Sequence, residues 1–509
     1  MKKLIFHDTT LRDGDQTPGV NFTVSQKVEI ARALVRAKVD AIEAGFAAAS
    51  PGDMRAVQEV CRAVGDKAVV TSLARATRAD IDAAAEALAS AARGRIHVFL
   101  STSALHMEHK LKMSRQEVLS AAREAVAYAK SLGFEVQFSA EDATRSDVLF
   151  LREVFLAAAF AGADVLNIPD TVGISEPEGF GALVRTFASD DAFAGVVFSV
   201  HCHNDLGLAV ANSLAGVKAG ALQVECTATG IGERAGNAAL EQIALAALLQ
   251  SEIYRVKVGL DTRELSALAR KVSEHSGLAV PQNAPIIGQN AFSHESGIHQ
   301  HGMLQNKQTY QILDPALVGR EEAKLLLGKL SGRAAFRKKA EELGYRLEKD
   351  AMTKAFGAFL QLADRKNLVR DEEVDAILAE VRDEEILSHG FELVAFSIQS
   401  NSEGMASADI SLKKDGKVLR DAAIGSGPIE AAFHAVERIT GARFSLDAYR
   451  IRAVTEGKDA LGIVLVRLKE GEQIFSGRGV SVDIIEASVK AYVSAVNRAV
   501  YYTEEAAKA

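Results

Sequence analysis

Short β-type runs alternate with helix-period stretches through the first half of the chain. The runs are Leu4–Thr9, Val39–Phe46, Ala68–Leu73, Arg95–Ser101, Phe134–Glu141, Asp164–Pro169, Val196–His203 and Leu222–Thr227. Most are rich in the β-branched and aromatic side chains that suit a pleated, buried surface. Between them lie Ala-rich amphipathic segments such as Ser25–Ala37, Arg115–Ser131, Asp147–Ala161 and Asn204–Ala219, several followed by a glycine that ends a helix without a Cβ penalty. Eight strand–helix units in about 230 residues predict a parallel (β/α)8 TIM barrel of the α/β class; a doubly wound open sheet would need fewer strands and usually a Gly-rich first turn.

Such a barrel carries its chemistry at the C-terminal ends of its strands, and polar residues collect there. Arg12 and Asp13 follow the first strand, Glu43 comes late in the second, Thr71 and Ser72 close the third, and His97 lies within the fourth. Ser139 and Glu141 close the fifth, Asn167, Asp170 and Thr171 the sixth, His201 and His203 the seventh, Glu225 and Thr227 the eighth. In SVHCHNDLG the two histidines are two residues apart, so on a strand they share a face, with Cys202 on the other. An inward pair suits metal ligation and equally a hydrogen-bonded pair in a polar core. Asp13 at the same mouth favours the metal. Two imidazoles, a carboxylate and room for water describe a site for Mn²⁺, Mg²⁺, Co²⁺ or Zn²⁺ with positions open to substrate. The segment TATGIGERAGN (227–237) reads as a tight loop entering a helix, with Asn237 either an N-cap or a ligand. Its glycines do not make a dinucleotide fingerprint, because Glu233 and Arg234 follow Gly232 and no mononucleotide-type first strand precedes them.

The second half changes character. Residues 276–387 carry helix-period, charge-rich segments (Ala334–Leu343, Lys349–Leu362, Asp371–Arg382), read as helical linker subdomains after a barrel domain of 1–275. Residues 388–509 alternate as strands and repeat themselves. Strands near Glu392–Gln399, Ala406–Lys413 and Lys417–Ala423 precede Gly425, Ser426, Gly427 and a helix to Ile439. Strands near Ala448–Val454, Gly462–Leu468 and Gln473–Ser476 precede Gly477, Arg478, Gly479 and a helix to Val500. Two βββα units predict an α+β domain with internal pseudo-two-fold symmetry, whose plainest use is as a structural dimerisation module.

Composition narrows the function. With 509 residues, 48% apolar and 25% charged, the chain is globular, with a core sufficient for roughly two to four domains. A net charge of −8 without a Lys/Arg run argues against a nucleic-acid partner. Cys61, Cys202 and Cys226 form no CxxC pair, which disfavours a disulfide framework or zinc cage and fits a reducing cytoplasm. The N-terminal stretch soon acquires charges and no apolar run approaches membrane-spanning length, so neither secretion nor a membrane is expected.

The stretches HDTTLRDGDQTPG, IEAGF, SPGD, NIPDTVG, HCHNDLGLAVANS and GIGERAGN, then HESGIHQHG, LGKLSGR and GSGPIEAAF, resemble in order and spacing the 2-isopropylmalate synthases. These belong to a barrel superfamily of metal-dependent acyltransferases and lyases that includes homocitrate synthase, citramalate synthase and hydroxymethylglutaryl-CoA lyase. The resemblance implies a Claisen-type condensation: acetyl-CoA loses a methyl proton, the enolate attacks the ketone of a 2-oxo acid, here 3-methyl-2-oxobutanoate, and the thioester is hydrolysed. It implies that Asp13, His201, His203 and Asn237 bind the metal, Mn²⁺ or Mg²⁺ first. Arg12 would stabilise the oxyanion and hold the oxo-acid carboxylate, a task for a fixed, permanently charged fork, and Thr171 would contact that carboxylate. Glu141 would sit near the acetyl methyl, and His97, Ser139, Asn167 and Pro169 around the oxo-acid side chain. His299 and Tyr310, outside the barrel, would reach the active site of the neighbouring subunit of a homodimer. The C-terminal domain would bind leucine as an allosteric effector between its two units, where helix N-termini suit a carboxylate.

Alternatives stay open at this level. A citramalate synthase would use pyruvate with the same catalytic residues. Homocitrate synthase must bind a second carboxylate, and no basic residue stands near Asn167 and Pro169; the lyases lack the C-terminal part. A non-catalytic amino-acid sensor would not need the intact Arg12, Asp13, His201, His203, Glu141 set. Against the family pattern, Asp15 replaces Glu, His301 replaces Asp and Thr229 replaces Asn. His294, His299 and His301 form either an accessory metal site or a loop, and Lys110, Lys112 and Arg115 either bind CoA phosphates or open a solvated helix.

Overall fold

Thr23, Ser50, Thr77, Ser114 and Asp147 each accept, through the side chain, the backbone N–H three residues on, and the helices Val24–Arg36, Pro51–Val64, Arg78–Leu88, Arg115–Ser131 and Val148–Phe160 begin immediately after them. In the computed structural model these caps place the helices expected at Ser25–Ala37, Arg115–Ser131 and Asp147–Ala161 within a residue of those bounds. The structure describes all residues except 295–298, 300, 301, 304, 312, 321–326, 330, 346, 365–368, 388, 389, 401–403, 454–461, 472 and 507–509. His301 therefore lies outside the described residues. The chain forms two compact units, 1–293 with 310–324 and 294–309 with 325–509.

The first unit is the predicted barrel. Strands β1 (Lys2–Asp8), β2 (Ala41–Gly45), β3 (Val69–Arg75), β4 (Gly94–Ser101), β5 (Glu135–Glu141), β6 (Val165–Asp170), β7 (Val197–Cys202) and β8 (Gln223–Cys226) pair in parallel in that order, and β1 pairs with both β2 and β8 to close the ring. The pleat sorts the side chains into two sets. Phe6, Ile42, Val70, Val98, Phe138, Ile168, Val200 and Val224 are buried in the apolar core that joins strands to helices. The alternate set points inward and is polar: His7, Glu43, Thr71, His97, Gln137, Ser139, Asn167, His201 and Glu225 are all buried. A ninth strand, β9 (Val256–Val258), pairs with Lys2–Leu4 outside the ring. At three residues it is too short to carry a period. The segment expected as a helix from Asn204 begins only at Ala209, because Gly207 takes a left-handed φ of +74 and Asn204 Oδ1 accepts the Ala209 N–H at 3.2 Å.

In the second unit, Arg333–Glu342, Lys349–Ala363 and Asp371–Leu387 are helices around their own core, where Phe336 and Phe359 lie 5.0 Å apart. Beyond them, β10 (Glu392–Gln399), β11 (Ala406–Lys414) and β12 (Lys417–Gly425) form one antiparallel sheet, and β13 (Ser445–Ala453), β14 (Gly462–Glu470) and β15 (Gln473–Ser481) another. Each is followed by a helix, Pro428–Thr440 and Ile484–Ala506. The repeat extends to detail, since both first strands shift register one residue after their second position, at Leu393/Ala395 and Leu446/Ala448. The helices meet where Phe433 stacks on Tyr492 at 4.0 Å.

One reading needs correction. Gly477, Arg478 and Gly479 are not a turn into the last helix but part of β15. The glycines serve close packing instead: a Cβ at Gly477 would lie 2.1 Å from Ala491 O, and one at Gly479 1.9 Å from Ala487 O, on the helix that crosses the sheet.

Candidate active site and metal centre

At the C-terminal end of the barrel a cavity of about 350 Å³ is lined by Arg12, Asp13, His97, Ser139, Glu141, Asn167, Pro169, Thr171, His201 and His203, all singled out from the sequence. Asp13, His201 and His203 bring one ligand atom each within 4.8 Å of one another. The two Nε2 atoms are 3.1 Å apart, and Asp13 Oδ2 stands 3.7 and 3.9 Å from them. Ligands about 2.0–2.2 Å from one ion are separated by about 3.0–3.6 Å, so this triangle suits a divalent cation with little adjustment. Asn237 closes the arrangement. Its Nδ2 donates to Asp13 Oδ1 at 2.9 Å and to Ile231 O at 3.2 Å, leaving Oδ1 buried without a partner, as a carbonyl ligand would be. Behind His201, the Glu225 carboxylate stands with Oε2 2.8 Å from Nδ1, while Nε2 faces the triad. Cys202 is buried on the opposite face, its thiol pushed up by burial.

The electrostatics follow the geometry. Burial alone would raise Asp13, yet the Arg12 guanidinium together with His201 and His203 holds it well below the usual carboxylate range. Burial and the neighbouring His201 push His203 down to about 4, whereas on His201 burial is outweighed by Glu225 and Asp13 and the value rises. Arg12 is pinned from two sides, Nε to Glu43 at 2.6 Å and Nη1 to Asp13 at 2.8 Å. Glu43 in turn meets His97 Nδ1 at 2.5 Å, and His97 Nε2 meets Ser139 Oγ at 2.6 Å. Against burial, Arg12 and His97 keep Glu43 ionised below its ordinary value.

Glu141 is engaged by Lys110 Nζ at 2.6 and 2.7 Å and by the Ser101 hydroxyl. Within the 105–115 stretch a π turn (Met107–Leu111) ending at Lys112 with φ of +54 delivers Lys110 to the rim, while Arg115, exposed, opens the helix that follows. Asp15, the shortened carboxylate, does not line the cavity; it accepts the Phe22 N–H and pairs with buried Lys27 at 2.8 Å. Thr229 takes a left-handed φ of +66 and donates its N–H to buried Glu241. Arg234 binds Asp205 through Nε and Nη2 and donates to Thr171 O, tying together the loops after β6, β7 and β8. At Gly173 in the first of these loops a Cβ would sit 2.5 Å from Asp205 Oδ2.

Residues 3–272 match the HMGL-like family, 286–367 the homocitrate synthase post-HMGL domain-like family and 368–500 the LeuA allosteric (dimerisation) domain. A 2-isopropylmalate synthase of Ruminiclostridium cellulolyticum is 48% identical over 495 residues, 97% of this chain and 96% of that one. Those of Pelotomaculum thermopropionicum (46% over 506 residues, 99% and 100% covered) and Pyrococcus furiosus (47% over 500, 98% and 99% covered) are similar throughout. The chain belongs to the 2-isopropylmalate synthase family.

Of the two residues outside the barrel implied by the family resemblance, Tyr310 is exposed and does not line this cavity, and His299 is an exposed residue of the other compact unit. Other lining residues escaped the sequence reading: Gln16, Leu73, Phe99, Glu233 and Arg234. For two of them a signal existed, since Leu73 stands two residues after Thr71 and Phe99 two after His97, on the same inward face. In the C-terminal domain a second cavity of about 530 Å³ is lined from the first βββα repeat by Gly427, Ile429 and Phe433 and from the second repeat by Leu446, Tyr449 and Tyr492. No helix among the described residues is long and apolar enough to cross a membrane.

Proposed function

We propose that the protein is an acyltransferase that condenses acetyl-CoA with 3-methyl-2-oxobutanoate to give 2-isopropylmalate and CoA, the first committed step of leucine biosynthesis. The observation that carries this reading is the placement of Arg12, locked by two carboxylates at the edge of a His–His–Asp triad inside an oxo-acid-sized cavity. Asp13, His201, His203 and Asn237 would hold a divalent cation, Mn²⁺ or Mg²⁺ by the hard oxygen donors, with Zn²⁺ or Co²⁺ compatible with the imidazoles. When bound, such an ion supplies Lewis-acid polarisation of the ketone. Arg12 spends Nε and Nη1 on Glu43 and Asp13, and the rest of its fork faces the oxo-acid carboxylate and the oxygen that gains charge as the carbon–carbon bond forms. Thr171 Oγ1 already accepts the Asp142 N–H at 2.9 Å, so its hydroxyl proton is available to the same carboxylate. His97, Ser139, Asn167 and Pro169 wall the side-chain end.

Glu141 takes a methyl proton from acetyl-CoA. The carbon's electron pair forms the bond to the ketone carbon, the carbonyl pair moves to oxygen, which gains a proton, and water then cleaves the thioester to a carboxylate and the CoA thiol. Lys110 donates to both carboxylate oxygens of Glu141. Phosphates of the incoming CoA are suited to draw it away. His299 and Tyr310 belong to this reading as contributions from a second copy in a homodimer, acting on the thioester step. The cavity shared by the C-terminal repeats would take leucine as feedback inhibitor, its carboxylate at the helix N-terminus after Gly427 and its side chain on Phe433 and Tyr492.

The test is CoA thiol release with acetyl-CoA and Mg²⁺ or Mn²⁺, comparing 3-methyl-2-oxobutanoate, pyruvate and 2-oxoglutarate, with and without leucine. Preference for the branched acid with inhibition by leucine supports the proposal. Preference for pyruvate assigns citramalate synthesis to the same residues, and no release with any acid leaves a sensor.

A further inference from the structure

Beneath the cavity lies a second polar layer that none of the steps above uses. Arg95 is buried, held by Glu135 through Nε and Nη2 at 3.1 and 3.0 Å, and its Nη1 donates to Gln223 Oε1 at 2.9 Å and Gln137 Oε1 at 3.4 Å. Arginine has only donors, so every direction above it is determined. Gln223 must turn its oxygen to Arg95 and its Nε2 toward Ser199 and toward Gln137 Oε1, at 3.0 and 2.9 Å. Gln137, wholly buried, must then turn its own Nε2 upward, where it meets Glu225 Oε1 and, at 3.1 Å, His97 Nε2.

Both contacts have consequences in the site. His97 faces a carboxylate through Nδ1 and an amide donor through Nε2, so its proton is on Nδ1 and Nε2 accepts. Ser139 consequently donates to His97 and accepts from Asn167 Nδ2 at 2.8 Å, which leaves Asn167 Oδ1 as a buried acceptor without a partner. On the other branch Glu225 is held with Oε2 against His201 Nδ1, while His7 Nδ1 approaches Oε1 at 3.5 Å.

We propose that Gln137 is a positioning residue that joins the two halves of the site: one amide nitrogen orients both His97 at the oxo-acid side-chain end and Glu225 behind the metal ligand His201. The inference rests on the reading of the cavity as an oxo-acid and metal site. It makes the two binding events mechanically dependent through a residue that touches neither ligand.

The experiment uses the full-length protein with two substitutions. Gln137→Met removes both donors at similar length, and Gln223→Met leaves Gln137 in place but removes the group that directs it, together with the contacts to Arg95 and Ser199. For each, thermal melting checks folding, calorimetry measures Mn²⁺ and 3-methyl-2-oxobutanoate binding, and thiol release gives KM for each substrate. Gln137→Met is expected to weaken Mn²⁺ and oxo-acid binding together, by about tenfold each, with KM for acetyl-CoA unchanged. Gln223→Met is expected to move the same two quantities in the same direction by less, and it decides the matter if Gln137→Met does not fold. Folded variants in which only one of the two affinities changes, or neither, overturn the proposal. A parent protein that binds Mn²⁺ and the oxo acid but releases no thiol would instead count against the catalytic reading and leave the coupling measurable.

Discussion

Glu43 is wholly buried and accepts from two donors, Arg12 Nε at 2.6 Å and His97 Nδ1 at 2.5 Å. Glu43→Gln keeps the shape, deletes the charge and sets an NH₂ group against one of those donors. A charge-assisted hydrogen bond is worth about 1.5–3 kcal/mol; here one is lost and the other weakened. Arg12 keeps Asp13 at 2.8 Å, so its charge is not abandoned, and the loss falls at the low end of the roughly 3–5 kcal/mol for breaking a buried pair. About 3 kcal/mol in the barrel corresponds to a drop of about 6 °C in melting temperature. Arg12 and His97 also lose their shared anchor, so KM for the oxo acid should rise about tenfold while metal binding changes less. Because the folded Glu43 titrates below its ordinary value of 4.5, its contribution is complete above that value and is lost as the pH falls toward the lower folded value. The gap in stability between parent and variant should therefore be constant from pH 6 to 8 and close in acid. Calorimetric melting across that range, with KM measured in parallel, is the assay. An unchanged melting temperature and KM, or a gap that widens in acid, would refute the reasoning.

Other expectations follow from the same geometry. His203→Ala should abolish thiol release and weaken Mn²⁺ binding at least about a hundredfold, with leucine binding retained by calorimetry. Metal affinity should fall as pH is lowered through the raised pKa of His201, by about tenfold per unit as one proton displaces the ion, and more steeply only near pH 4 where His203 also takes one; Mn²⁺ titrations at fixed ionic strength would show a plateau in acid if these imidazoles were not ligands. Gly479→Ala places a Cβ against Ala487 O and should destabilise the C-terminal sheet by about 1–3 kcal/mol or more, weakening leucine inhibition before it affects turnover; equal sensitivity to leucine in the variant would count against it.

The barrel was legible because its strands combine a short apolar run with polar residues at one end, and the chemistry stands on those ends. His201 and His203 declared themselves by spacing, and Asp13 by its place after β1. The layer of Arg95, Gln137 and Gln223 was not legible, because single polar residues inside strands show no period, and what they do depends on neighbours 24 to 128 positions away. The same limit explains Gly477 and Gly479: local rules assign glycines before a helix to a turn, while here backbone atoms of that helix, eight to eighteen residues on, set the requirement. His299 and Tyr310 were named by resemblance alone, since no spacing or period in the sequence ties either to the barrel mouth.

The clasp formed by Arg234 bears on how the specificity of such a site can change over time. Thr171, His203 and Glu233 contribute wall from three separate loops, and Arg234, itself at a left-handed φ of +54, fastens those loops to one another through Asp205 and Thr171 O. Substitutions there are epistatic: the effect of altering the 170–175 loop depends on what stands at 205 and 234. A lineage or a designer exploring other oxo acids would find single-loop grafts rejected and a three-loop exchange, moved as one cassette, accepted.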